Sequence, residues 1–138
     1  MKISAHVNNK EGQHQVTLDT NGRTHTLTIP PKATGFGSSV NGGELLFLAL
    51  ATCYCNDLYR EAAKRGLSVS GVEVEVEGDF GADGEPARNV TYRVKVVSSE
   101  SEAALRELMQ HTDQMTEIQN TLRSGTQVQL SEVAVMRA

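Results

Sequence analysis

NGGELLFLALATCYCNDLYREAAKR, residues 41–65, predicts one long and largely apolar helix, and it holds both cysteines of the chain, Cys53 and Cys55. At 100° per residue, Cys55 falls on the apolar face of this helix. Cys53 falls on the other side, together with the polar residues Asn56 and Asp57. A reactive thiol needs partial exposure and a polar setting, whereas a buried thiol packs as a small hydrophobic group. Cys53 is therefore the candidate nucleophile.

The composition excludes several classes of function. A chain of 138 residues with 38% hydrophobic and 22% charged residues is long enough for one folded domain, which we expect over residues 1–138. A formal net charge of −4 offers no basic surface to nucleic acid, and the apolar run 45–55 is too short to span a bilayer. The N-terminal sequence has no apolar signal region, and the two thiols cannot pair within one helix, so we expect a cytoplasmic protein.

The segments around the helix predict an α+β domain. Residues 14–20 and 23–29 flank Asn21-Gly22, the strongest short signal for a β-hairpin, and residues 3–7 add a third strand. A second hairpin is predicted after the helix. Its first strand alternates valine with glutamate, and its second strand alternates apolar with basic side chains. Antiparallel pairing of these two strands would set acid against base on the solvent face.

The boundaries of the remaining elements follow from local signals. Asn41 and Glu44 fit a capping box at the start of the long helix, and Ser99 with Glu102 fits another. Helices are predicted over residues 99–110 and 113–123, and a last strand over 127–136. A long apolar helix needs cover on more than one side, so we expect a homodimer with this helix at its centre.

On these motifs the chain resembles the OsmC/Ohr superfamily. The resemblance rests on NGGELLFLALATCYCNDLYREA (41–62), KRGLSVSGVEVEVEG (64–78) and EIQNTLRSGTQVQL (117–130). It implies an OsmC-like α+β fold, with antiparallel sheets around a long central helix in an intertwined homodimer. It also implies thiol-dependent reduction of organic hydroperoxides in oxidative stress defence, with Cys53 as the reactive thiol. Thr116 stands where many members have a resolving cysteine, and Gly43 stands where they have a glutamate.

Two functions stay open. The first is a one-cysteine peroxidase, in which Cys53 attacks a small organic hydroperoxide and an external thiol reduces the resulting sulfenic acid. Arg123 is then the expected charge partner of the thiolate, and Thr116 contributes a hydroxyl to a pocket that is completed by Glu117, Asn56 and Asp57. The alternative is a non-catalytic dimeric protein that binds a small apolar or thiol-bearing ligand at its interface cleft.

Metal ions and cofactors are not expected. The four histidines, His6, His14, His25 and His111, are scattered, and no second cysteine or histidine pair stands at ligand spacing. No phosphate-binding or dinucleotide fingerprint is present. Asp57 lies one helical turn from Cys53, and an anion at that distance raises the pKa of a thiol.

Overall fold

The Asn21-Gly22 turn organises the first of two units into which the chain divides, residues 1–46 and 47–138. Both turn residues have positive φ, 52° and 83°, as a tight hairpin turn requires. The turn joins β2 (Gln13–Thr20) to β3 (Arg23–Thr26), and β1 (Ile3–Lys10) pairs with β2, so the sheet is antiparallel in the order β1-β2-β3. The computed structural model describes residues 1–138.

The long helix α1 (Gly42–Lys64) begins with the predicted capping box. The amide of Glu44 donates to Asn41 Oδ1 at 2.8 Å, and the amide of Asn41 donates to Glu44 Oε1 at 3.0 Å. Gly66, with φ at 66°, ends the helix, and the amide of Leu67 donates back to Ala62 O. Both ends of the predicted helix are thus confirmed to within one residue.

The second unit contains the predicted β-hairpin, with acidic side chains opposite basic ones. Strands β4 (Gly71–Asp79) and β5 (Arg88–Val97) pair antiparallel, which sets Glu73 opposite Lys95 and Glu75 opposite Arg93. Arg93 Nη2 reaches Glu75 Oε1 at 2.7 Å. Helices and antiparallel sheets together confirm the α+β class.

One face of α1 forms the core of the second unit. Its fully buried side chains Tyr54, Leu58 and Ala62 pack with Leu108 of helix α2 (Glu102–Met115). Apolar side chains of the hairpin and the neighbouring segments complete the cluster: Leu67, Val69, Val72, Val74, Tyr92, Val94, Val96 and Met109. Cys53 lies on the opposite side of α1, where this helix contacts the C-terminal helix α3 (Glu117–Arg123).

Several boundary predictions are wrong. Helix α2 ends at Met115 and not at residue 110, and α3 begins at Glu117 and not at residue 113. Helix α2 is capped by Ser101, whose Oγ accepts from the amide of Ala104, and not by Ser99. Strand β3 ends at Thr26, before residue 29. Residues 127–136 form no strand, because a strand needs a neighbouring ladder and this segment has no such neighbour within the chain. Its apolar side chains are almost fully exposed, Val128 at 97%. None of the three helices has the length and hydrophobicity that a membrane span requires.

Candidate active site around Cys53

The thiol of Cys53 lies between two carboxylates. Its S–H donates toward Asp57 Oδ2 at 3.3 Å and toward Glu117 Oε2 at 3.7 Å. Asp57 stands one turn further along α1, and Glu117 is the first residue of α3. The structure therefore brings together three of the residues predicted for the site, although Glu117 is 64 positions away from Cys53 in the chain.

This environment stabilises the thiol over the thiolate. Burial raises the pKa of Cys53, and the negative charges of Asp57 and Glu117 raise it further, as predicted for Asp57. The backbone amide of Ile118 donates to the sulfur and opposes this effect without reversing it. Cys53 is therefore protonated at rest, and the site must remove its proton before the sulfur can act as a nucleophile.

The pKa values of the two carboxylates are shifted in opposite directions. Burial raises the pKa of Asp57, and its hydrogen bond to Glu117 adds to this effect. The same hydrogen bond lowers the pKa of Glu117, which is the more exposed of the two. Of the two, Asp57 is therefore the carboxylate that would take up a proton more readily.

Arg60 holds this carboxylate pair in place. Its guanidinium lies 3.0 Å from Asp57 Oδ1 and 3.0 Å from Glu117 Oε1, so each carboxylate turns its other oxygen toward Cys53. Arg60 Nε also contacts Glu61 Oε2 at 3.0 Å. Hydrogen bonds from Arg60, Lys64 and His111 hold the pKa of the buried Glu61 at about 2.

Two buried polar side chains hold the start of α3, one against α1 and one against α2. Gln119 Nε2 donates to the carbonyl of Leu50 at 3.0 Å, while Gln119 Oε1 is buried without a partner. Thr116 is fully buried at the junction of α2 and α3, and its hydroxyl donates to the carbonyl of Asp113 at 2.9 Å. These bonds set the position of Glu117, the residue between them, relative to Cys53.

The other predicted site residues have different partners. Arg123 pairs with Asp113 at 2.7 Å and donates to Asn120, so its charge is engaged away from Cys53. The hydroxyl of Thr116 donates to the carbonyl of Asp113 at the junction of α2 and α3. Asn56 is exposed and borders a small cleft with Cys55, on another side of α1.

A second group of polar residues surrounds a separate cleft of about 530 Å³. The rings of Tyr54 and Tyr92 meet there with centroids 5.2 Å apart, and Met109 lies beside them. The Tyr92 hydroxyl donates to Asp113, the carboxylate that also binds Arg123. Burial and the charge of Asp113 raise the pKa of Tyr54 to about 12, so both phenols stay protonated.

From the sequence alone, Arg60, Glu61 and Gln119 were assigned no role in the site. The spacing of Arg60, three residues after Asp57 and next to Glu61, is a usable signal, because residues at i and i+3 share a helix face. Gln119 carried no comparable signal, since a polar residue within a short amphipathic helix is normally exposed.

Comparison with known proteins assigns the fold. A family model described as OsmC-like protein matches residues 35–131. The chain belongs to the OsmC-like family. No curated protein matches the sequence significantly. The matched region of this OsmC-like chain includes Cys53 and both carboxylates beside it.

Solved structures agree with this assignment. An OsmC-like protein from Mycoplasma pneumoniae superposes with a TM-score of 0.60 at 23% identity, covering 88% of this chain and 86% of that one. An organic hydroperoxide resistance protein OsmC from Legionella pneumophila gives 0.54 at 17% identity, covering 86% and 89%. An OsmC-like hydroperoxide resistance protein from a Jannaschia species gives 0.54 at 15%, covering 96% and 90%. At these identities the similarity supports the OsmC-like fold alone. The reaction has to be inferred from the residues of the site.

Proposed function

We propose that this OsmC-like protein is a one-cysteine thiol peroxidase that reduces small organic hydroperoxides with electrons from an external thiol. The observation that carries the proposal is the contact of the Cys53 thiol with the Asp57–Glu117 pair, 3.3 and 3.7 Å away. A thiol that rests protonated needs a base at hydrogen-bond distance, and these carboxylates supply one. The hydroperoxide resistance proteins of the same fold support the choice of substrate class.

The proposed reaction conserves atoms and electrons when two external thiols are included. The Cys53 proton passes to the carboxylate pair as the sulfur attacks the distal oxygen of the hydroperoxide. The O–O bond breaks, and the leaving alkoxide takes that proton to give an alcohol and a sulfenic acid. One external thiol then condenses with the sulfenic acid, releasing water and forming a mixed disulfide, and a second thiol restores Cys53. Arg60 binds the oxygens of Asp57 and Glu117 that face away from Cys53 and is therefore a positioning residue for the two carboxylates.

A homodimer in a reducing cytoplasm is part of the proposal. Apolar side chains that the single chain leaves in solvent, including Leu48 at 58% exposure and the C-terminal Val128 and Leu130, favour cover by a second copy. Both cysteines are free thiols, as a reducing compartment would keep them. Light scattering after size-exclusion chromatography measures the mass in solution, and a monomer at micromolar concentration would contradict the dimer.

The experiment that tests the peroxidase uses reduced, chelator-treated protein and one equivalent of an organic hydroperoxide. Dimedone labelling and mass spectrometry follow each cysteine within seconds of mixing. We expect sulfenic acid at Cys53, one equivalent of alcohol, and loss of both in Cys53→Ser. The matched control Cys55→Ser should react like the wild type. Equal and slow oxidation of both cysteines would refute the proposal.

A second candidate function rests on the cleft between Tyr54, Tyr92 and Asp113. Its volume of about 530 Å³ lies within the usual range of ligand pockets, and its aromatic walls suit a small apolar or thiol-bearing molecule. Under this alternative, binding is unaffected by Cys53→Ser and weakened by Tyr92→Ala. Fragment screening by ligand-observed NMR tests it, and a cleft that binds no fragment would count against it.

A further inference from the structure

Three potential metal ligands converge at Cys53. The thiol sulfur, a carboxylate oxygen of Asp57 and a carboxylate oxygen of Glu117 all lie within 4.8 Å of one another. Two of them stand one turn apart on a long helix, and the third comes from a different helix. The set therefore combines one soft sulfur ligand with two hard oxygen ligands, and these come from two different helices.

The spacing of these atoms matches the bond geometry of zinc. Tetrahedral Zn²⁺ with a Zn–S bond of about 2.3 Å and a Zn–O bond of about 2.1 Å places sulfur and oxygen about 3.6 Å apart. The two sulfur–oxygen distances in the structure are 3.3 Å and 3.7 Å. The two carboxylate oxygens lie within 4.8 Å of each other, against about 3.4 Å for two oxygens on a tetrahedral zinc ion, so they need to approach by at most about 1.4 Å.

Arg60 leaves the correct oxygens free for such an ion. It binds Asp57 Oδ1 and Glu117 Oε1, and the oxygens that face Cys53 are Asp57 Oδ2 and Glu117 Oε2. Ligating carboxylates in metal sites are held in the same way, with the outer oxygen bound to a second group that orients the inner one. A cation between Oδ2, Oε2 and the sulfur would not displace the guanidinium.

The charge of the site also favours a divalent cation. Asp57, Glu61 and Glu117 lie around Arg60, and Cys53 can add a further negative charge. Lys64 and His111 also contact Glu61. The Cys53 thiol has only one proton to donate, and two carboxylate oxygens face it. A divalent cation compensates both the carboxylates and a thiolate at once.

We propose that Cys53, Asp57 and Glu117 form a binding site for a divalent transition-metal ion of the zinc class. The thiolate ligand disfavours Mg²⁺ and Ca²⁺, which prefer oxygen ligands alone. With three protein ligands, the fourth position of a tetrahedral ion stays open to water or a small ligand. On binding, the Cys53 S–H bond breaks, its proton goes to solvent and an S–metal bond forms, so no electron is transferred. The inference goes beyond the peroxidase, because a metal-bound sulfur is protected from oxidation.

The test uses reduced, metal-free protein titrated with Zn²⁺ by calorimetry and with Co²⁺ by absorption spectroscopy. We expect one ion per chain, proton release that depends on buffer, and a thiolate-to-cobalt charge-transfer band. Cys53→Ser should abolish the band, Glu117→Gln should weaken Zn²⁺ binding by about tenfold or more, and Cys55→Ser should change neither. No saturable binding, or a band that survives in Cys53→Ser, would overturn the site.

A peroxide assay separates this proposal from the proposed function. Saturating Zn²⁺ should slow the oxidation of Cys53 by hydroperoxide at least tenfold relative to the chelated protein, and chelator should restore the rate. If the protein binds metal but its metal-free thiol does not react with hydroperoxide, the peroxidase is refuted and the metal site is supported. Rapid oxidation that saturating Zn²⁺ does not slow would overturn the metal site and support the peroxidase.

Discussion

Gln119→Met isolates the contribution of a buried amide that joins α3 to α1. Methionine keeps the length of the side chain but removes the hydrogen bond from Nε2 to Leu50 O, whose loss costs about 1 kcal/mol. The substitution also removes Oε1, a buried acceptor without a partner, whose desolvation costs about 1–3 kcal/mol. The Leu50 carbonyl keeps its bond within α1, because the helix supplies the amide four residues later. The net expectation is a change between zero and about 2 kcal/mol of added stability.

Urea unfolding followed by circular dichroism at several protein concentrations measures this change. Gln119→Ala serves as the matched control, since it removes the same polar atoms and also the packing of the side chain, and it should destabilise the fold by about 1–3 kcal/mol. A measurable loss of stability in Gln119→Met would refute the reasoning, because the hydrogen bond would then outweigh the desolvation of Oε1.

Three further predictions follow from the core and the titratable groups. Leu58→Ala should cost about 2–5 kcal/mol in urea unfolding, because Leu58 is fully buried, and a cost below 1 kcal/mol would contradict its place in the core. The rate of Cys53 alkylation in metal-free protein should still rise above pH 9.0, the usual thiol pKa, and equal rates in folded and unfolded chains at pH 8 would contradict the raised pKa. Burial raises the pKa of Asp113, but hydrogen bonds from Tyr92 and Arg123 outweigh it and lower the pKa below 3.8. Asp113→Asn should therefore cost about 1 kcal/mol in unfolding free energy at pH 7, a cost that disappears as the pH falls through and below 3.8. A pH-independent cost would contradict this assignment.

Local signals were sufficient where one short segment determines the structure. The Asn21-Gly22 turn and the Asn41–Glu44 capping box depend on backbone dihedrals and bonds within four residues, so the sequence contains all the required information. The alternation of valine with glutamate in β4, and of apolar with basic side chains in β5, also predicted their antiparallel pairing, because it gives each strand one apolar face and one charged face.

The same signals failed where distant residues decide. Ser99 and Ser101 are equally good capping residues, and only the folded backbone selects Ser101. The segment 127–136 alternates like a strand, but pattern alone cannot supply the neighbour that a ladder requires. At the site, the contact of Cys53 with Asp57 followed from helical spacing, whereas the arrival of Glu117 depends on how α3 packs.

The lack of a second thiol beside Cys53 limits how the proposed reaction can be completed. Thr116, where the family resemblance implies a resolving cysteine in other members, is fully buried; its hydroxyl donates to Asp113 O and its carbonyl accepts from the amide of Asn120. A sulfenic acid at Cys53 therefore has no internal thiol to reduce it, since Cys55 faces a different side of the same helix. The reductant must come from outside, past the carboxylates of Asp57 and Glu117. That field repels a thiolate carrying further negative charge, so the reaction favours a neutral or cationic thiol.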